Sequence, residues 1–233
     1  MTPKNLNLMR SILQIVAVIV LVQLLTSCGD DPKQITAKPT KKLVVLAYDI
    51  SKSNDEYAIL KKDHLASLFS KIAFNGGGKF YGLLIKANSL KQELFEYNIP
   101  AFDTLELKGN SYQIKRRMKV NKKILAPFNK KKMEFVNKTK SAIIKPKNEN
   151  ATDIMNAIKL AEGTLKQNIY NNWDKTLIVI SDGINTVDTK KWKNKSINFE
   201  DVKVILVRPT NTKYVTGSSL ITTNSIQDAL YNL

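Results

Sequence analysis

The chain holds one cysteine and one histidine in 233 residues. A single thiol, Cys28, excludes a disulfide framework and any multi-thiolate zinc or iron–sulfur site. A single imidazole, His64, excludes a poly-histidine metal centre and argues against a Ser-His-Asp triad. Acid is scarce as well: 20 Asp and Glu stand against 37 Lys and Arg, for a net charge of +17. Long apolar runs are missing. The longest, Ile12–Leu25, has 14 residues broken by Gln14 and Gln23, short of the roughly 20 that a spanning helix needs. What is present is an ordinary globular mix, 43% hydrophobic and 24% charged, which excludes a disordered or fibrous chain. The length suits one domain with a substantial core.

Residues 1–27 carry Lys4 and Arg10, no acid, and then that apolar run. A short positive region before about 7–15 apolar residues reads as a secretory signal. It ends in Leu25-Thr26-Ser27-Cys28-Gly29, which resembles the lipobox of bacterial lipoproteins. The resemblance implies cleavage before Cys28 and acylation of its thiol. The leader removes two bases and no acid, leaving 35 basic against 20 acidic residues, a charge of +15. Each buried CH₂ of an acyl chain contributes about 0.8 kcal/mol, and two or three chains anchor stably. From Cys28 to residue 40 the chain is polar and proline-containing and reads as a tether. The expected place is a bacterial cell envelope, lipid-anchored to the inner or the outer membrane, with the domain outside the cytoplasm.

From residue 41 to 233 strands and helices alternate. Leu43–Tyr48 (LVVLAY) is a continuous apolar run, expected of a strand buried on both faces of a parallel sheet. Ala58–Phe74 has helical spacing and stops at Asn75-Gly76-Gly77-Gly78. Lys79–Ala87 reads as a second strand, and Glu93–Leu107 as a third strand or hairpin. Ala151–Tyr170 is predicted helical, Thr176–Ser181 and Val202–Val207 are predicted strands, and Ser218 onward suits a short final helix. The expected class is α/β, one domain with a mainly parallel sheet and helices on both faces.

In such sheets, ligands bind where loops gather at the carboxyl ends of the strands. Three segments bring oxygens there: Asp49-Ile50-Ser51-Lys52-Ser53 after the first strand, Thr152-Asp153 at a helix start, and Asp182-Gly183 after a later strand. Each alone is ordinary turn chemistry. Together and in this order they resemble the metal-ion-dependent adhesion site of the von Willebrand factor A domain, a Rossmann-like fold, over residues 43–207. The resemblance implies that Ser51 and Ser53 bind a divalent cation through their hydroxyls. Thr152 supplies a third hydroxyl, directly or through water, and Asp49 and Asp182 act mostly through bound waters. Mg²⁺ is the implied ion, or Mn²⁺ or Ca²⁺; a hard cation of this kind takes oxygen ligands and, as Mg²⁺, keeps several waters. An acidic side chain of a protein ligand then takes the open position. Asp153 is expected to cap its helix, and Asp55 and Glu56 to sit in a solvated first turn.

Other features point elsewhere. Gly76-Gly77-Gly78-Lys79 follows a helix and precedes a strand, the reverse of a phosphate-binding loop, with Phe80 where Ser or Thr is needed. His64 reads as a partly buried surface residue, and Trp173 and Trp192 as packing groups. No activated nucleophile, paired catalytic carboxylates or cofactor fingerprint marks an enzyme. Residues 108–147 hold 14 Lys and Arg against Glu134 alone, which is +13 of the mature +15. Met118, Leu125, Phe128, Phe135 and Val136 make this stretch amphipathic, with Pro127 expected to break or kink it.

Two functions follow as expectations. The first is a membrane-anchored lipoprotein binding a partner protein through a divalent cation, in adhesion or assembly. The second is a cationic scaffold that grips an anionic polymer, a lipid surface or an acidic protein through Arg116, Arg117, Lys122, Lys123, Lys130, Lys131 and Lys132, with the metal site idle. Nucleic acid is the weaker ligand class, because few aromatics interleave with the lysines.

Overall fold

A computed structural model describes residues 40–52, 59–144, 149–187, 189–192 and 194–233. The leader, Cys28, Ser53, Asp55, Glu56, Lys145 and Lys147 lie outside the described residues. In chain order the elements are β1 (Lys42–Asp49), α1 (Lys62–Phe74), β2 (Gly78–Ile85), β3 (Phe95–Ile99), α2 (Ser111–Ile143) and α3 (Ile154–Leu165). There follow β4 (Asp174–Ile180), a single turn α4 (Thr189–Trp192), β5 (Ile197–Val207), β6 (Val215–Thr223) and α5 (Ile226–Tyr231).

β1 is buried along its whole length, as its apolar run predicts. It pairs in parallel with β2 on one side and β4 on the other, with Val45 level with Tyr81 and with Leu177. The sheet order is β3-β2-β1-β4-β5-β6. Every neighbouring pair is parallel except β2–β3. The expected α/β class with a mainly parallel sheet is what the chain forms. The order reverses between β1 and β4, and in open sheets of this kind the crevice beyond the strands' carboxyl ends at that point is where ligands bind.

The period of a strand sorts the core into two layers. Val44, Leu46 and Tyr48 of β1 face α1, α2 and α5, where Leu65, Phe69, Phe135, Val136, Ile226 and Leu230 are buried. Leu43, Val45 and Ala47 face the other way, onto Ile154, Ile158, Ala161 and Leu165 of α3. Phe135 is the hub of the first layer: its ring lies 5.5 Å from Phe69, 5.1 Å from Phe80 and 5.3 Å from Tyr97, centroid to centroid. Burying one such side chain contributes about 1.5–3 kcal/mol. The whole sheet and both layers fall within one compact unit running from Pro39 to Leu233, so this unit has a hydrophobic core of its own.

The glycine run ends α1 and starts β2 with no room for side chains. A Cβ on Gly78 would lie 1.9 Å from the Lys42 carbonyl oxygen, and Gly77 holds φ at +73° with Ala101 N 2.5 Å away from the same imagined atom. The run serves close backbone approach.

Several sequence expectations are corrected. Pro127 does not break the cationic stretch: one helix of 33 residues runs through it. The segment after Ser218 is not a helix, because β6 occupies Val215–Thr223 and only Ile226–Tyr231 is helical. The strand wins because parallel pairing along β5 satisfies its backbone, whereas Gly217-Ser218-Ser219 has poor helix propensity. The third strand is short, Phe95–Ile99, and residues 100–108 are irregular. The helix expected from Ala151 to Tyr170 is α3, Ile154–Leu165, followed by a separate 3₁₀ turn at Asn168–Tyr170. Among the described residues, no helix is long and apolar enough to cross a membrane.

Candidate metal site

β1 and β4 are neighbours, so their ends deliver Asp49 and Asp182 to adjacent positions at the carboxyl edge of the sheet. Asp49 is fully buried. Its carboxylate accepts the Ser51 backbone N–H at 2.8 Å and the Ser181 hydroxyl at 2.6 Å. The Ser181 oxygen in turn accepts the Gly183 N–H at 3.1 Å. A buried charge is tolerated only when hydrogen-bonded, and these donors come from the turns that follow both strands. Burial is the main force raising the Asp49 carboxyl above its ordinary value; the bonds from Ser181 and Ser51 oppose it, and the negative charge of Asp182 adds to it. Two carboxylates repelling one another at a buried rim form a place where a cation is favourable.

The other loops are stitched to this pair. Ser51 bridges in parallel to Glu149, and Lys52 N donates to the Glu149 carbonyl at 3.1 Å. Asp153 N donates to the Lys86 carbonyl at the end of β2. Thr152 N donates to the Thr186 hydroxyl at 2.7 Å, while the Thr152 carbonyl accepts from Thr186 N at 2.9 Å and from Val187 N at 3.3 Å. Asn185 Oδ1 accepts from Met155 N at 3.3 Å. The segment leading into α3 is thus fastened to the loop after β1, to the end of β2 and to the loop after β4.

Asp182 makes a tight turn. Its Oδ1 accepts the Ile184 N–H at 2.9 Å, and its carbonyl accepts Thr210 N and Thr210 Oγ1, both at 2.7 Å. Gly183 follows with φ at +80°, and a Cβ there would meet the Asn211 carbonyl at 2.2 Å and the Tyr214 ring at 2.9 Å. Only glycine lets the chain pass so close at that backbone angle.

Of the expected ligands, Asp49 and Asp182 follow paired strands, the Ser51 N–H bonds to Asp49, and Thr152 is bonded to the loop after Asp182, whereas Ser53 lies outside the described residues. Asp153 caps α3 as expected: its carboxylate accepts Asn156 N at 3.4 Å, Asn156 Nδ2 at 2.9 Å and Ser89 N at 3.3 Å. Sequence reasoning passed over Ser181, Thr186 and Tyr214. The Tyr214 hydroxyl is buried and has no hydrogen-bond partner among the described residues. Burial, followed by the charges of Asp182 and Asp49, holds its proton firmly on.

The donor set suits a hard cation in one way only. Among the described residues, no group of three or more His, Cys, Asp or Glu is placed to hold a metal. An ion here would depend on hydroxyls and water beside two carboxylates, and such oxygens are what Mg²⁺ takes. An orphaned buried hydroxyl, that of Tyr214, close enough to feel both carboxylates, fits a site whose polar groups are completed by water or an ion.

No protein-family model matches the chain, and no curated protein does. Solved structures that match include the SpRpn10 VWA domain, at 12% identity and a TM-score of 0.37 over 82% of this chain and 94% of that one. Proximal thread matrix protein 1 from the mussel byssus matches at 12% identity and a TM-score of 0.39, over 82% of this chain but only 43% of that one. The manganese-loaded TRAP protein of Plasmodium vivax matches at 12% identity and a TM-score of 0.36, over 83% and 72%. The α/β assignment stands on the strand order itself.

Proposed function

We propose that this chain is a lipoprotein, anchored to a membrane of the bacterial envelope through Cys28, whose α/β domain binds a partner protein through a divalent cation. Asp49, Ser51, Ser53, Thr152 and Asp182 would hold the ion, which is Mg²⁺ or, in its place, Mn²⁺ or Ca²⁺. When bound, the cation supplies an electrophilic point that an acidic side chain of the partner can occupy. The chain's own part is to hold five oxygen-bearing residues in place and to carry too little negative charge to neutralise the ion fully. The role is adhesion or assembly, and not catalysis.

One observation carries this reading: Asp49 and Asp182 sit at the ends of adjacent central strands where the strand order reverses, with Thr152 bonded to the loop that follows Asp182. Turn chemistry at each segment accounts for the local hydrogen bonds. It does not account for a buried carboxylate placed beside a second one at the crevice where ligands of such sheets bind.

The test is calorimetric titration of the 39–233 unit with Mg²⁺ and with Mn²⁺, for the wild type and for Ser51→Ala and Asp182→Ala, with far-ultraviolet circular dichroism to confirm the fold. Binding to the wild type and its loss in both folded variants supports the reading. Equal affinity in all three defeats it. A pull-down of the acylated chain from detergent extracts, with Mg²⁺ and then with chelator, identifies the partner.

A further inference from the structure

α2 has two halves with different surroundings. From Phe128 onward it is rooted in the core through Phe128, Phe135, Val136, Thr139 and Ile143, whereas none of its residues from Ser111 to Pro127 is buried. At 1.5 Å per residue the whole helix is about 50 Å long, and the unburied half accounts for about 25 Å of that. A projecting helix is marginal in water unless its ends and one face are held. Here both are. Asn110 and Gln113 cap the start reciprocally, Oδ1 accepting from Gln113 N at 2.9 Å and Oε1 from Asn110 N at 3.0 Å. A strap covers the inner face: Asn121 exchanges two bonds of 2.9 Å with the Leu105 backbone, and Arg117 donates to the Glu106 carbonyl at 2.7 Å.

The strap leaves the opposite face to solvent. Lys115, Arg116, Lys119, Lys122, Lys123 and Lys130 recur at steps of one, three and four, with a seven-residue step to the last, which places them in one stripe along the helix. All six are exposed. None lies within ion-pair distance of a carboxylate among the described residues, and the sequence has no acid between Glu106 and Glu134. Tyr112, 74% exposed, stands at the tip on the same face. Aligned like charges repel one another and lower stability, so a stripe with no counter-charge calls for a ligand that supplies one.

We propose that this face of α2 lies on an anionic phospholipid surface, with the lysine ammoniums and the Arg116 guanidinium on headgroup phosphates and Tyr112 at the headgroup level. A stripe along one face of an unburied helical rod fits a plane, and tyrosine is enriched at membrane interfaces. Single-stranded nucleic acid would instead require stacking aromatics among the bases, and Tyr112 is the only aromatic from Ser111 to Pro127. The contact is separate from the cation-binding rim and does not depend on it.

The 39–233 unit, which lacks Cys28, is the material for the test. Co-sedimentation is measured with vesicles of equal parts phosphatidylglycerol and phosphatidylcholine and with pure phosphatidylcholine. Each basic residue near an anionic surface is worth up to about fivefold in affinity. Binding to the anionic vesicles alone, weakened as salt rises from about 0.05 M to about 0.5 M, is expected. So is a loss of about 100-fold or more in Lys115→Glu/Lys119→Glu/Lys123→Glu, with unchanged binding in Ser51→Ala. Three results overturn the proposal: equal binding to both vesicles, full binding by the folded triple variant, or tighter binding to duplex or single-stranded DNA than to the vesicles at the same salt.

Discussion

The Ser181 hydroxyl donates to Asp49 Oδ2 over 2.6 Å, joining the last turn of one central strand to the buried end of its neighbour 132 residues away in sequence. With the Ser51 N–H, this bond is one of the donors that oppose the upward push of burial on a carboxyl group with no solvent exposure. Ser181→Ala leaves that carboxylate short of a donor. The expected cost is about 1–3 kcal/mol in urea unfolding without metal. A saturating divalent cation should shrink it, because the ion satisfies the charge that the serine no longer does.

Asp49→Asn should act in the opposite sense. The neutral amide removes a buried charge and its repulsion from Asp182, so the apo domain is expected to be as stable as the wild type or more so. The same change should abolish stabilisation by cation. For the wild type, Mg²⁺ at about 100 times its Kd raises stability by about 2.7 kcal/mol, and chelator removes that gain. Melting temperatures of both proteins with Mg²⁺ and with chelator read the difference. A wild type that melts identically in the two conditions contradicts the cation-binding rim.

Gly183→Ala tests the backbone beneath the rim. Its φ of +80° costs an L-residue about 1–2 kcal/mol, and the methyl would also strike the Asn211 carbonyl. Relief of that clash must move the 210–211 turn that holds the Asp182 carbonyl. The expected result is a lower melting temperature together with weaker cation binding.

Much of this was legible in the sequence, and what was not has physical causes. LVVLAY reads as a doubly buried strand because every position is apolar. Asp49, Ser51 and Asp182 stood out because charged and hydroxyl residues directly follow such runs. Ser181 was hidden because it closes an apolar strand and looks like its last residue. Its partner lies 132 positions away, and no local pattern carries that pairing. β6 was missed because Val215–Thr223 centres on Gly-Ser-Ser and lies at a sheet edge, half-exposed, where alternation is weak. The helix continues past Pro127 for another reason. A proline forfeits one helical hydrogen bond, but here the cost is outweighed by the burial of Phe128, whose ring lies 3.9 Å from Phe102 and 5.4 Å from Phe69.

A pH dependence follows at the start of α1. His64 Nδ1 accepts the Lys61 N–H at 3.2 Å, which requires an unprotonated nitrogen. Burial is the main cause holding this imidazole below its ordinary value of 6.5; the nearby Lys61 charge adds to that and Asp63 opposes it. The folded chain therefore binds this proton less readily than the unfolded chain. The contribution to stability is present above about pH 6.5 and is lost as pH falls through the lower folded value. Urea midpoints at about pH 7.5 and about pH 5.5 should fall more for the wild type than for His64→Gln, whose side chain can accept the same bond at both values.

The two halves of α2 should differ as sharply in stability as they do in surroundings. Phe135→Ala removes a fully buried ring from the core and is expected to cost about 3–5 kcal/mol. Leu125→Ala, at a position 45% exposed on the projecting half, should cost under about 0.5 kcal/mol. Hydrogen exchange supplies an independent reading. Amides from Val136 to Ile143 should exchange only through global unfolding, and those from Lys115 to Lys123 through local fraying. Asn121→Ala, which removes both bonds to the strap, should speed exchange in the projecting half and leave the rooted half unchanged. Uniform protection along all 33 residues would mean that the outer half is held by more than its cap and its strap.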